Sequence, residues 1–287
     1  MKNTRERIGE IIFLVSAAMS IFLILLIIYF IFKNGIEFVS DYGLGNFISG
    51  REWRPTAGNA KFGILPMIVG SFIVTGISTL IALPFGLAIS IYMAYYADKS
   101  YKPLKSLINL MAAIPSVVYG FFAMMVLVPI IKDYTSAKNG MNMLTASILL
   151  SVMILPTMVN ISENSLRQVP KVFYTGSLAL GATKEETIHK VMVPYAKSGI
   201  FSSIILAIGR AIGETMAVYL VVGNQPRMPK GVLSGARTLT TNIVLEMGYA
   251  SGQHRQALIA TAMVLFFFIL LINLIFNVIR TRSEQKA

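Results

Sequence analysis

Leu178-Ala-Leu-Gly-Ala-Thr-Lys-Glu-Glu-Thr-Ile-His-Lys-Val-Met-Val-Pro194 is a short helix with both ends written into its sequence. Gly181 breaks one helical pattern, and Thr183 opens a capping box with Glu186, so each side chain satisfies a free backbone N–H of the other. Glu185 and Glu186 sit in the first turn, where acids suit the helix dipole. Glu186 and Lys190 form an i,i+4 pair in the favourable order. The residue before Pro194 is pushed out of the α region, which predicts the end of the helix there. A passive linker can be capped this well. The apolar positions Ile188, Val191 and Met192 fall between two long apolar runs, however, and need something other than the bilayer core to pack on. That marks a docking element.

The flanking sequence is that of a membrane protein. Of 287 residues, 55% are hydrophobic and 13% charged, whereas a soluble domain carries about 25% charge. A helix crosses a hydrocarbon core about 30 Å thick in about 20 apolar residues. Six runs qualify, near 11–32, 64–95, 107–131, 144–161, 199–222 and 257–279. They predict an all-α membrane protein with six transmembrane helices, its partner on all sides the lipid bilayer. The second run contains Pro84 and is longer than one crossing needs, so tilt or a kink is expected. The chain divides into residues 1–63, an uncleaved first helix with its outer loop, and residues 64–287, a five-span core whose inner loop covers about 162–198.

Lys and Arg set the orientation. With the N-terminus inside, fourteen basic residues, Lys2, Lys105, Arg167 and Lys286 among them, fall on the cytoplasmic side and ten outside. Both termini are therefore expected in the cytoplasm. The net charge of +12 sits between apolar runs, so it reads as topology and not as a nucleic-acid surface. Outer-loop bases such as Arg51, Arg54, Lys61, Arg227 and Arg237 outnumber outer acids such as Glu52 and Glu246. They are either ordinary loop charge and docking contacts or a positive vestibule for an anion. Trp53, the one tryptophan, reads as an interfacial anchor. The chain has no cysteine and two histidines, which leaves no thiolate or histidine metal centre. Without a Gly-Lys dipeptide it has no Walker A loop, so any ATP is bound by another chain.

Arg210-Ala-Ile-Gly-Glu214 lies inside the fifth run. An arginine there costs about 2.5–3.5 kcal/mol to insert and faces a bundle interior or a pore. Glu214, one turn on, neutralises it on the same helix face. Gly209 and Gly213 keep that region slim. The pair either locks the helix to its neighbours or serves as an anion waypoint, since guanidinium matches oxyanions bidentately. Ser116 and Thr157 adjoin prolines within spans; they serve helix repair or line the same pathway.

Gly181, nine residues and then Val191-Met-Val-Pro194 resemble the Glu-Ala-Ala loop of bacterial ABC-importer permeases. Thr175-Gly-Ser177 stands where that family has Glu-Ala-Ala. Arg210-Ala-Ile-Gly-Glu-Thr-Met-Ala-Val218 with Gly223-Asn224 resembles the fifth span of the PstC-type phosphate permeases. Trp53-Arg-Pro55, Phe62-Gly-Ile-Leu-Pro66, Ile114-Pro-Ser-Val-Val-Tyr-Gly120, Leu155-Pro-Thr157, Arg237-Thr-Leu-Thr240 and Glu246-Met247 are similar to other segments of that family, in the same order.

The resemblance implies a MetI-like permease fold in a bacterial inner membrane, importing phosphate by alternating access. Its implied partners are a second permease of the PstA type, an ATPase dimer carrying ATP and Mg, and an extracytoplasmic phosphate-binding protein; no cofactor sits on this chain, which is no enzyme. Gly181, Ala182, Thr183, Glu186 and Pro194 would couple to the ATPase. Arg210, Glu214, Ser116 and Thr157 would line the pathway. An importer for sulfate, molybdate or phosphonate, an ion-coupled carrier using Glu214, and a scaffold or sensor subunit are the competing readings.

Overall fold

The computed structural model describes residues 4–284, so the terminal bases Lys2 and Lys286 lie outside the described residues. Among the described residues, five helices are long and apolar enough to cross a membrane: Ile8–Tyr42, Leu65–Tyr95, Ser116–Tyr134, Met143–Arg167 and Gly252–Val278. Lys184–Tyr195 together with Lys197–Gly213, bent by 67° at their junction, is long and apolar enough to make a sixth. The second helix runs unbroken through Pro84. Lipid-facing residues explain the many exposed large side chains, since apolar surface needs no burial in hydrocarbon.

Three expected boundaries change. The run 107–131 is not one helix. Ile114 adopts an extended ψ of 127° before Pro115, separating an amphipathic helix, Tyr101–Ala113, from the span that starts at Ser116. Steric conflict with the proline ring drives that break. The segment expected as the first outer loop is largely helical: the first helix continues to Tyr42, a short helix Leu44–Ser49 follows, and Trp53–Arg54 pairs antiparallel with Lys61–Phe62. The third change falls in the last outer loop, where Thr238 caps a helix Leu239–Met247 through the Thr241 amide.

Two cores fix the bundle. One lies between the second, fourth and fifth crossings around Leu150, Ile154, Met158 and Ala207. The other caps the hairpin end, where Phe38 meets Phe62 edge-on at 5.4 Å beside Trp53, Leu239 and Leu258. Glycine permits the closest approach in the third crossing. A Cβ on Gly120 would lie 2.9 Å from Ala217 Cα, so the helices touch backbone to backbone.

Candidate functional site

That contact sets the start of the third crossing against the short helix Met216–Val221. The Arg210–Glu214 helix-face pair is not formed. The helix stops at Gly213, Glu214 is extended (ψ 131°), and a new helix starts at Met216. Glu214 Oε1 instead accepts the Ala217 amide at 3.2 Å, because the break after Gly213 removes the i,i+4 geometry and leaves the carboxylate at the free N–H groups of the next helix start. Its carbonyl accepts Thr240 Oγ1 at 3.0 Å.

Arg210 is left exposed, and no salt bridge among the described residues involves it. Gly209 and Gly213, on either side, have open space where a Cβ would be. Tyr119 is within its electrostatic reach and bonds the Met111 carbonyl at 2.9 Å, bridging the Ile114–Pro115 break. Ser116 is half-buried at the start of its helix. Thr157 is half-buried on the fourth crossing. Arg210 and Glu214 therefore lie on either side of one helix break, with Tyr119 of the third crossing near the exposed guanidinium.

Two buried carboxylates escaped the sequence reading. Glu246 is 5% exposed and Arg237 7%, so neither is a solvated loop charge or part of a vestibule. Arg237 Nη1 donates to Glu246 Oε1 at 2.5 Å and to Asn242 Oδ1 at 2.9 Å. Trp53 Nε1 donates to Glu246 Oε2 at 2.8 Å, and His254 Nε2 lies 2.7 Å from the same oxygen. Trp53 is thus a buried clamp and not an interfacial anchor. At the other end, fully buried Glu163 accepts from Lys105 Nζ (2.6 Å), Tyr101 (3.0 Å) and Arg167. It ties the amphipathic helix Tyr101–Ala113 to the fourth crossing. A lone acid in an apolar run signals only that partners exist, not which they are.

The loop helix forms as a capping box. Thr183 Oγ1 accepts the Glu186 amide and Glu186 Oε2 accepts the Thr183 amide, both at 3.2 Å, after Gly181 turns the chain at φ +88°. Lys190 bonds Glu186 Oε1 at 2.9 Å. Pro194 does not end the helix, which runs from Lys184 to Tyr195 and then bends by 67° into Lys197–Gly213. Ile188–Met192 is a π-turn, and its wider winding accommodates the N–H that Pro194 lacks. Ile188 and Met192 are buried within the chain itself, so they are not the docking face. The open face instead displays Val172, Phe173, Leu178, Leu180 and Tyr195, with Leu180 91% exposed. Gly181, Glu186 and Pro194 are exposed beside it, and Ala182 is half-buried.

The Lys190 hydrogen bond, then the Thr183 amide, hold the Glu186 carboxyl below its ordinary range. Its contribution is therefore full above the ordinary carboxylate pKa and fades only as pH falls through the lowered one. Thr183→Ala should cost about 1 kcal/mol of local helix stability. Hydrogen exchange at the Glu186 and Thr187 amides reads this directly; unchanged protection would mean the box carries no weight.

A family model described as binding-protein-dependent transport system inner membrane component matches residues 86–287. A relative from Bacillus subtilis, named probable ABC transporter permease protein YqgH, is 43% identical over 79% of this chain and 76% of its own. A probable phosphate transport system permease protein PstC from Methanocaldococcus jannaschii is 32% identical over 88% and 86%. Among solved structures, a bacterial ABC transporter importing the acidic polysaccharide alginate aligns with TM-score 0.62 at 14% identity, covering 96% of this chain and 99% of its own. The MetNI methionine transporter, inward facing, aligns with TM-score 0.59 at 19% identity, covering 77% and 94%.

Proposed function

The chain belongs to the binding-protein-dependent transport system inner membrane components, and from that premise we propose that it is one permease subunit of an ATP-driven phosphate importer. PstC-named relatives covering most of its length support phosphate. The physical observation that carries the reading is Arg210: an exposed guanidinium with no salt bridge among the described residues, one turn before a helix break and flanked by glycines that leave room for an ion. Phosphate oxygens match that guanidinium bidentately. The Glu214 carboxylate, held at the same break, accepts a proton-bearing phosphate oxygen.

In this reading the Lys171–Tyr195 end faces the cytoplasm and the hairpin end faces out, with both termini cytoplasmic as the basic residues direct. A second permease, of the PstA type, completes the pore against the open Arg210 face. A separate ATPase pair binds ATP and Mg and grips the face of Val172, Phe173, Leu178, Leu180 and Tyr195, together with Gly181, Glu186 and Pro194. The helix Lys197–Gly213 rises from that grip straight to the break, about 25 Å at 1.5 Å per residue. A tilt of the loop helix therefore swings Arg210 without any intermediate element.

The test is substrate choice in the reconstituted complex. Labelled phosphate uptake should resist an excess of sulfate and molybdate and be blocked by unlabelled phosphate. Block by sulfate or molybdate at equal concentration would assign another oxyanion and overturn the phosphate reading.

A further inference from the structure

From the level of Arg210 the fourth crossing carries a polar track toward the Lys171–Tyr195 end. Two contacts set its register against the helix Lys197–Gly213. Ser162 Oγ lies 2.7 Å from Ser203 Oγ, and a Cβ on Gly199 would meet Ser165 Oγ. The two helices are therefore antiparallel, and counting on from these pairs puts Arg210 level with about residue 155. Thr157, Asn160 and Glu163 follow below it, the last about 12 Å down at 1.5 Å per residue. The helix Tyr101–Ala113 flanks the same track. Its Met111 carbonyl accepts the Tyr119 hydroxyl near Arg210, and its Asn109 and Lys105 both reach Asn160.

At the foot of this track the charges do not balance. Lys105 Nζ and Arg167 Nε bond the two oxygens of one carboxylate, Glu163, and Tyr101 adds a third donor. Two cations on one fully buried anion leave one positive charge in excess. Arg167 is fixed a second time, on the Met93 carbonyl at 2.7 Å. Lys105 is the member that can move. Its side chain is 24% exposed, and its ammonium has two of three N–H groups engaged, on Glu163 and on Asn160 Oδ1 at 2.9 Å. When Lys105 turns outward, Arg167 and Tyr101 still satisfy Glu163, so no buried charge is stranded. The neighbouring amides add donors. Asn160 Oδ1 accepts from an ammonium, so Asn160 Nδ2 is the group that meets Asn109 Oδ1, at 3.4 Å. Exposed Asn109 thereby keeps its own Nδ2 without a partner among the described residues.

We propose that Lys105, with the amides of Asn109 and Asn160, is a second oxyanion site on the way inward from Arg210, and that Glu163 sets its strength. The proposal rests on the importer reading above and adds the site from which the anion leaves. A tetrahedral oxyanion takes the spare ammonium N–H and the Asn109 amide as its donors. Glu163 competes for the same ammonium, so the anion is held weakly and passes on, as conduction through successive sites requires.

The complete complex in lipid nanodiscs, without nucleotide, provides the test. The chain has no cysteine, so Ser106→Cys, exposed one turn before Asn109, places a single thiol in it beside the site. Inorganic phosphate should slow modification of that thiol by a neutral maleimide. Adding Lys105→Gln should raise the half-protecting phosphate concentration about tenfold, the loss of one charged hydrogen bond, with an unchanged melting temperature. Adding Glu163→Gln should instead lower it severalfold while phosphate uptake slows, because the site then retains the anion. Lys99→Gln, an exposed base outside the track, should stay within about twofold. Protection should also survive Arg210→Gln; its loss there would mean that Arg210 is the one site being read. Weaker protection in both Lys105→Gln and Glu163→Gln would make their bond purely structural and overturn the proposal. Equal loss in Lys99→Gln and Lys105→Gln would mean diffuse attraction and overturn it too. Protection by sulfate or molybdate but not by phosphate would leave the site standing and defeat the phosphate reading instead.

Discussion

Glu246→Ala should destabilise the protein by about 3–5 kcal/mol, the cost of leaving a buried charge without its partner. Arg237 would keep its guanidinium at 7% exposure, with Asn242 Oδ1 and the Asn224 carbonyl as its remaining acceptors. Trp53 Nε1 and His254 would each lose their bond as well. The effect is concentrated because one carboxylate joins three stretches: the hairpin, the helix Leu239–Met247 and the start of the last span. Thermal unfolding in detergent measures it. Replacing both charges, Arg237→Met with Glu246→Leu, should recover much of the loss, since apolar substitutes for a buried pair are close to neutral. A single variant that melts like wild type would mean the pair is solvated and not structural.

Arg210→Gln should lose phosphate transport about ten- to a hundredfold, since one hydrogen bond to a charged group is worth about 1.5–3 kcal/mol. Arg210 is exposed and makes no salt bridge among the described residues, so the variant has no structural partner to strand. Its melting temperature and assembly with partners should match wild type, which separates this loss from that of Glu246→Ala. Arg210→Lys should recover part of the rate: it keeps the charge but not the bidentate fork. Uptake unchanged in Arg210→Gln would remove the guanidinium from the pathway.

Local features were legible in the sequence and long-range pairings were not. Apolar run length marked the five long apolar helices and the bent pair that makes a sixth, and the Thr183–Glu186 box formed as its spacing required. The helix breaks were half legible. The rule that a residue before proline leaves the α region holds at Ile114, where the apolar run concealed it, and fails at Val193, where a π-turn makes room. Arg210 and Glu214 have the spacing of a helix pair, but a break after Gly213 cancels the geometry that spacing assumes. Trp53 and Glu246 are 193 residues apart, and no local pattern announces their bond. The loop helix shows the same: Ile188 and Met192 have their partner inside the chain, and the exposed apolar side chains lie on the neighbouring Phe173–Leu180 segment.

On the proposed function, this chain passes phosphate only when ATP is hydrolysed on another subunit. Phosphate uptake into proteoliposomes holding the reconstituted complex tests it most directly, with ATP supplied on the Lys171–Tyr195 side or with a proton gradient alone. Uptake that requires ATP, requires the binding protein and ignores the gradient is the predicted result. Uptake driven by the gradient without ATP would make the chain an ion-coupled carrier and not an importer subunit.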